Sequence, residues 1–365
     1  MLMKQLLHFV SWRNWGVIRT NPVLENTFVF WYLFLDQNQP FLSVVIELAQ
    51  FLGLIFFMAS YGFLLNDAVD CKRDLGHGID NVFRGCSPSA TSGVVLVALA
   101  CTLPFVVRIS ADHALFLPIW LFWLLCTSLY SLPSVYLKGR GLVGLVAVAL
   151  ALRTLPIALV LVIFRPQPDG GWLIILAYLT LRGLSGDLSH QLTDYAADLA
   201  DNLGTYVVRI GRERARRLLD RILAVERIGL LLICAWVATT LIRHTEPSAV
   251  IIAAHIGFVA VIGILNVYAW GVRHQGALGY DPHAPVYPVK DVYYLLHKSI
   301  PKIVLPLYLL ALLILEDWRY LALFAPLALY FRLYSWSRLV NAIRVRPEPH
   351  TRQTTSAADT RHPRA

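Results

Sequence analysis

Two carboxylate runs, each following a long apolar stretch, carry the most chemistry in this sequence: Asn66-Asp67-Ala68-Val69-Asp70-Cys71-Lys72-Arg73-Asp74 and Asp194-Tyr195-Ala196-Ala197-Asp198-Leu199-Ala200-Asp201. At helical spacing Asp67, Asp70 and Asp74 fall within about 60° of one another, and Asp187, Gln191, Asp194, Asp198 and Asp201 share a second stripe. Two such clusters facing each other repel unless cations lie between them. Hard oxygen donors sharing a site with phosphate are how proteins hold Mg²⁺, so the simplest ligand that needs both clusters is a diphosphate. The bland alternative is solvated loop acids. Three features weaken it: each cluster adjoins a hydrophobic helix, keeps one face, and falls on the same side of the membrane in the topology below.

The elements that must position these acids are membrane helices. The chain has 365 residues, 57% hydrophobic and only 15% charged, where a soluble domain carries about 25% charge. Apolar runs fall at roughly 22–37, 41–65, 92–110, 113–135, 142–164, 171–190, 227–243, 247–272, 299–316 and 319–338. Most can cross about 30 Å of hydrocarbon, which predicts an all-α membrane protein of nine or ten transmembrane helices bundled around a central cavity. With the N-terminus in the cytoplasm, that side receives most of the Lys and Arg, including Arg73, Lys138 and the basic run from Arg209 to Arg221, and both acidic motifs. The net charge of +9 is then a topology signal, and its scatter over membrane-flanking loops argues against nucleic-acid binding. Residues 1–21 read as an interfacial amphipathic segment without a cleavable signal, 22–343 as the membrane domain, and 344–365 as a disordered tail. The five cysteines have no metal spacing and are expected to be free thiols.

Several further residues sit where chemistry would use them. Arg153 lies near the middle of the fifth apolar run, where a bare guanidinium costs about 2.5–3.5 kcal/mol or more. It is expected to face the interior, binding a substrate anion or pairing with an acid. Arg182 and Asp187 occupy the inner end of the sixth run, and neutralisation of one by the other carries as much weight as a substrate role. His190 has a suitable pKa range for removing a proton, although a hydrogen-bonded structural histidine is the commoner case. Tyr195 could bond a phosphate oxygen or sit at headgroup level. Asp281, His283, Asp291 and His297 fit no compact metal site, and no Walker loop, nucleophile elbow or HExxH motif is present.

At this point the residues resemble the UbiA superfamily of intramembrane prenyltransferases. Asn66-Asp67-x-x-Asp70-x-x-x-Asp74 matches that family's first signature; Asp194-x-x-x-Asp198, with Gly204-Thr205 and Arg209-Ile210-Gly211 after it, is similar to the second. Between them, Tyr130-Ser131-Leu132-Pro133-Ser134-Val135-Tyr136-Leu137-Lys138-Gly139-Arg140-Gly141 resembles the segment that closes the family's fourth helix. The resemblance covers about residues 10 to 275. Several features depart from the pattern: Gly85 stands where an Arg-Pro pair is common, His190-Gln191 stand where many members have an acid or Asn, and up to four spans follow the second motif where the family usually has three.

The resemblance implies a two-step reaction. Carboxylates hold Mg²⁺ on the diphosphate of an isoprenoid donor, the diphosphate leaves, and an acceptor, often an aromatic ring, captures the allylic cation. Taken with the residues' own chemistry, the expected catalytic and metal-binding set is Asp67, Asp70, Asp74, Asp194 and Asp198, with Asp201 as a further metal ligand. Asn66, Arg84, Lys138, Arg153, Arg182, His190, Gln191 and Tyr195 are the expected substrate-binding residues. The expected partners are an isoprenoid diphosphate, a hydrophobic or aromatic acceptor and the lipid bilayer, with the protein in a cell inner membrane and the site facing the cytoplasm. A UbiA-like terpene cyclase and a phosphoribosyl transfer to polyprenyl phosphate stay open, and an ion-coupled transporter is least favoured because the acids lie at helix ends.

Overall fold

The computed structural model describes residues 21–35, 40–165, 167–244, 249–274, 292 and 295–330. The interfacial segment apart from Asn21, the tail at 344–365, and Asp281, His283 and Asp291 lie outside them. The described residues contain no strand; their one isolated bridge joins Gly141 to Thr205. The helices are α1 Phe28–Leu35, α2 Phe41–Gly76, α3 Pro88–Asp112, α4 Phe116–Ser131, α5 Leu142–Phe164, α6 Gly170–Thr193, α7 Tyr195–Ala200, α8 Tyr206–Ile210, α9 Arg212–His244, α10 Ala249–His274, α11 Leu295–Glu316 and α12 Phe324–Tyr330.

Among the described residues six helices (α2, α3, α5, α9, α10 and α11) are long and apolar enough to cross a membrane. Large side chains such as Val107, Leu121, Ile264 and Val267 face outward and exposed, as they do where the solvent is lipid. The chain is an integral membrane protein. The remaining apolar runs explain the distance from nine or ten. The run at 22–37 yields α1, whose eight residues rise only about 12 Å. All eight are buried, so α1 is a plug inside the bundle. Helix α4 is shorter than the other spans, and α6 carries Arg182, Ser185, Asp187 and Gln191 along its inner half.

Helix α5 is the most enclosed of the six and packs against α4 and α6. Pro156 cannot donate an N–H to the preceding turn, and the backbone answers with a widened π turn over Leu150–Thr154. A second π turn, Leu295–Val304, surrounds Pro301 in α11. Both turns present charged residues to the interior.

Candidate functional site

The last turns of α2 carry the first motif as an unbroken helix, so Asp67, Asp70 and Asp74 share a face as their spacing predicts. A left-handed Gly78 ends the helix: Ile79 N donates to Asp74 O at 2.8 Å and Gly78 N to Leu75 O at 3.1 Å. Asn81 then ties the following loop back, its Nδ2 donating to Asp67 O at 2.9 Å and to Asp74 Oδ2 at 2.8 Å. Asp67 and Asp70 are buried.

The second motif is not one continuous stripe. The helix breaks at Asp194, which ends α6 and begins α7. Asp187 turns toward the first motif, and Gln191 turns away from it. Gln191 Nε2 donates to Asp187 Oδ2 at 2.7 Å while its Oε1 accepts from Val207 N at 3.2 Å. Thr205 Oγ1 donates to Asp198 Oδ2 at 3.1 Å. Burial raises the Asp198 carboxyl pKa, the Thr205 hydroxyl with Lys138 and Arg73 draws it back, and Asp194 adds to the rise.

The 130–141 segment locks the two motifs together. Lys138 Nζ donates to Asp70 Oδ2 at 2.6 Å, and Arg73 Nη2 donates to the same oxygen at 2.9 Å. Arg73 Nε lies 3.8 Å from Asp201 Oδ2, and His77 Nε2 lies 3.0 Å from it. Arg209 holds the loops from outside, donating to Gly204 O and Gly139 O, both at 3.0 Å. The loops approach so closely that a Cβ on Gly204 would fall 2.7 Å from Gly139 O, which accounts for glycine there.

Between these elements lies a cavity of about 300 Å³. Its polar end is lined by Asn66, Arg73, Lys138, Asp187, His190, Asp194 and Asp198, and its apolar body by residues such as Ile55, Met58, Ala59, Trp123, Leu152 and Pro156. Asn66 and Ile55 lie on one helix, which makes the cavity about 16 Å deep at 1.5 Å per residue. Carboxylates outnumber the fixed cations Arg73 and Lys138 at the mouth, so a bare polyanion is repelled there and a cation-bound one is not.

Other expected site residues stand elsewhere. Arg84 is exposed beyond a turn in which Gly85 has φ 75°, and it does not line the cavity. Tyr195 packs beside Leu188, Leu192 and Val207. Arg182 does not neutralise Asp187: five positions apart on a helix means about 140° of rotation. Arg182 Nη1 instead donates to Glu226 Oε1 at 2.8 Å on α9. Arg153 is partly buried beside Glu25 and does not line the cavity. His190 is exposed at the mouth, 3.4 Å from Asp194 Oδ2. Sequence reasoning gave no role to Arg73, Tyr130, Trp123 or Asn21, all of which line the cavity. The i, i+3 spacing of Arg73 from Asp70 was the available signal for the first and the Tyr130-Ser131 segment for the second; nothing local marked Trp123 or Asn21.

No family model matches the sequence, and no curated protein matches it. Solved structures do. The chain is similar to a UbiA homolog from Archaeoglobus fulgidus bound to GPP and Mg²⁺, with TM-score 0.53 and 17% identity over 81% of this chain and 98% of that one. The same homolog bound to DMAPP and Mg²⁺ gives TM-score 0.52 and 17% identity over 81% and 97%. The fold is that of the UbiA homologs. Within this UbiA fold Asn66 and Arg73 on α2 and Asp187, Asp194 and Asp198 on α6 and α7 line one cavity, whereas the expected metal ligands Asp67, Asp70, Asp74 and Asp201 are not among its lining residues.

Mg²⁺ is tested against the residues present. The acids at the mouth are hard oxygen donors, and no cysteine lines the cavity. Among the described residues, no three His, Cys, Asp or Glu side chains group tightly enough to hold one ion. A protein-only cage is thereby disfavoured, whereas Mg²⁺ characteristically binds one or two carboxylates and completes its shell with phosphate oxygens and water. The donor set fits a metal that arrives with a diphosphate.

Proposed function

We propose that the protein transfers a prenyl group from an isoprenoid diphosphate, with Mg²⁺, to a hydrophobic or aromatic acceptor inside the membrane. One observation carries this reading: Asp187, Asp194 and Asp198 meet Asn66, Arg73 and Lys138 at the mouth of a cavity whose body is apolar and aromatic, and Asp70 of the first motif holds both of those cations. Mg²⁺ would supply charge neutralisation of the leaving diphosphate, held by Asp67, Asp70 and Asp74 on one side and Asp194 and Asp198 on the other. Arg73 and Lys138 are ion-paired to Asp70 and would re-partner to phosphate oxygens when the donor enters. Asn66 and Asp187 orient the same group from the cavity wall. Asp201 keeps the His77 and Arg73 contacts that hold the two motifs in register.

The apolar body excludes water from the allylic cation, which water would otherwise quench. Trp123 is fixed there by its Nε1 donating to Ala151 O at 3.1 Å, and Tyr130 lines the same cavity. Their π faces are suited to a passing cation. A cytoplasmic-facing mouth follows from the loop charges, with a cell inner membrane as the site of action.

The test is incubation of purified protein with a panel of isoprenoid diphosphates and Mg²⁺, with and without a lipid extract as acceptor source. Diphosphate release coupled to an acceptor adduct supports transfer. A hydrocarbon formed without acceptor would replace transfer with cyclisation, and an inert panel would overturn the reading.

A further inference from the structure

Next to the apolar end of the cavity lies a second charged group that the diphosphate chemistry does not use. Val23, Leu152 and Pro156 line the cavity, and their neighbours Glu25 and Arg153 meet just outside it. Glu25 Oε2 is 3.5 Å from Arg153 Nη2, and Glu25 Oε1 accepts from Lys302 Nζ at 2.8 Å. Arg153 is eleven residues from Leu142, about 16 Å along α5, at the depth of Ile55 on α2.

The charges there do not balance. In the adjoining group the Glu226 carboxylate accepts from Arg182 at 2.8 Å, Ser185 at 2.8 Å and His297 at 3.2 Å. Among the described residues, Arg153 and Lys302 both pair with the carboxylate of Glu25. The Nη1 of Arg153 is buried and has no hydrogen-bond partner among the described residues. Lys298 is within electrostatic reach of the same group and adds positive charge to it. The site is not sealed, since the side chains of Arg153, Glu25 and Lys302 keep 12%, 19% and 21% of their surface accessible. An unpaired guanidinium donor at mid-membrane, beside an ammonium and an open cavity, is set up for an anion.

We propose that Arg153 and Lys302 form an oxyanion site that takes the carboxylate or phosphate head of the acceptor. Glu25 is the internal counter-ion that the ligand displaces in part. The word acceptor rests on the proposed transferase reading; the anion site does not. The site would seat an amphiphilic acceptor with its anionic group about 16 Å from the diphosphate end and its reacting part in the apolar body between them.

The test measures binding in the full-length protein in detergent, without Mg²⁺ or donor, so that failure of the transferase reading and failure of this site are separate results. Benzoate and inorganic phosphate are titrated by calorimetry, with methyl benzoate as the uncharged control. The probe that binds identifies the head group as carboxylate or phosphate. Arg153→Gln and Lys302→Gln should each weaken that probe at least tenfold. Glu25→Gln should tighten it severalfold, because the competing carboxylate is gone. If Arg153→Gln fails to fold, Lys302→Gln and Glu25→Gln decide between the outcomes. Absence of binding by either anion, equal binding of methyl benzoate, or weakening in Glu25→Gln would overturn the proposal and leave these residues as a structural ion pair.

Discussion

Lys138 Nζ lies 2.6 Å from Asp70 Oδ2, sixty-eight residues away in the chain, and the same oxygen accepts from Arg73 at 2.9 Å. A carboxylate holding two cations is a poor metal ligand until something draws the cations off. Phosphate oxygens would do so, leaving Asp70 available to the incoming metal. On the proposed reading, donor binding and metal binding would be coupled through this oxygen.

Lys138→Met tests the coupling. It keeps the side chain's length and removes the charge, so Asp70 should accept metal more readily while the diphosphate loses a donor. The expected outcome is a rate about 10²-fold lower, the usual loss when one charge-stabilising donor is removed. Steady-state kinetics over a Mg²⁺ titration should show a lower Mg²⁺ requirement together with the lost rate; unchanged kinetics would return Lys138 to an anchoring role.

Asp70→Ala and Asp194→Ala come from opposite halves of the chain but should give the same phenotype. Each should lower product formation by about two orders of magnitude or more, with the protein monodisperse and helical. EDTA should abolish wild-type activity and added Mg²⁺ restore it. Turnover that persists in EDTA is the result this mechanism could not accommodate.

The acidic motifs were legible in the sequence because helical periodicity is local: Asp67, Asp70 and Asp74 needed only an unbroken α2. The second stripe was legible only up to Asp194, since the break there depends on Thr205 and Val207 capturing Asp198 and Gln191. The burden of Arg153 could be read from its place in an apolar run. Its partner Glu25 could not, because that contact depends on α1 being a plug. The same insertion explains why the apolar run at 22–37 gives no helix long enough to span the membrane.

Ala59 projects into the cavity from α2, seven residues from Asn66, or about 10 Å below the mouth. Ala59→Phe should fill the body without touching the charged end. Turnover of a short allylic donor should survive, while kcat/KM for a donor several isoprene units longer falls at least about tenfold, the scale of overpacking a fitted site. Equal kinetics on both donors would mean that the chain leaves the cavity above this level.

Glu226 separates structural charge from functional charge. Its carboxylate accepts from Arg182, Ser185 and His297 inside the bundle, and none of the four lines the cavity. Breaking such a pair from one side leaves the guanidinium buried without its counter-ion. Glu226→Gln should therefore destabilise the fold by about 3–5 kcal/mol. Replacing both partners, Arg182→Met with Glu226→Leu, removes the orphan charge and should recover most of that loss, so the double variant is expected to unfold later than Glu226→Gln. Thermal unfolding in detergent followed by circular dichroism measures this directly. If Glu226→Gln melted with the wild type while donor turnover fell, Glu226 would belong to the reaction, and the separation drawn between the two charged groups would have to be abandoned.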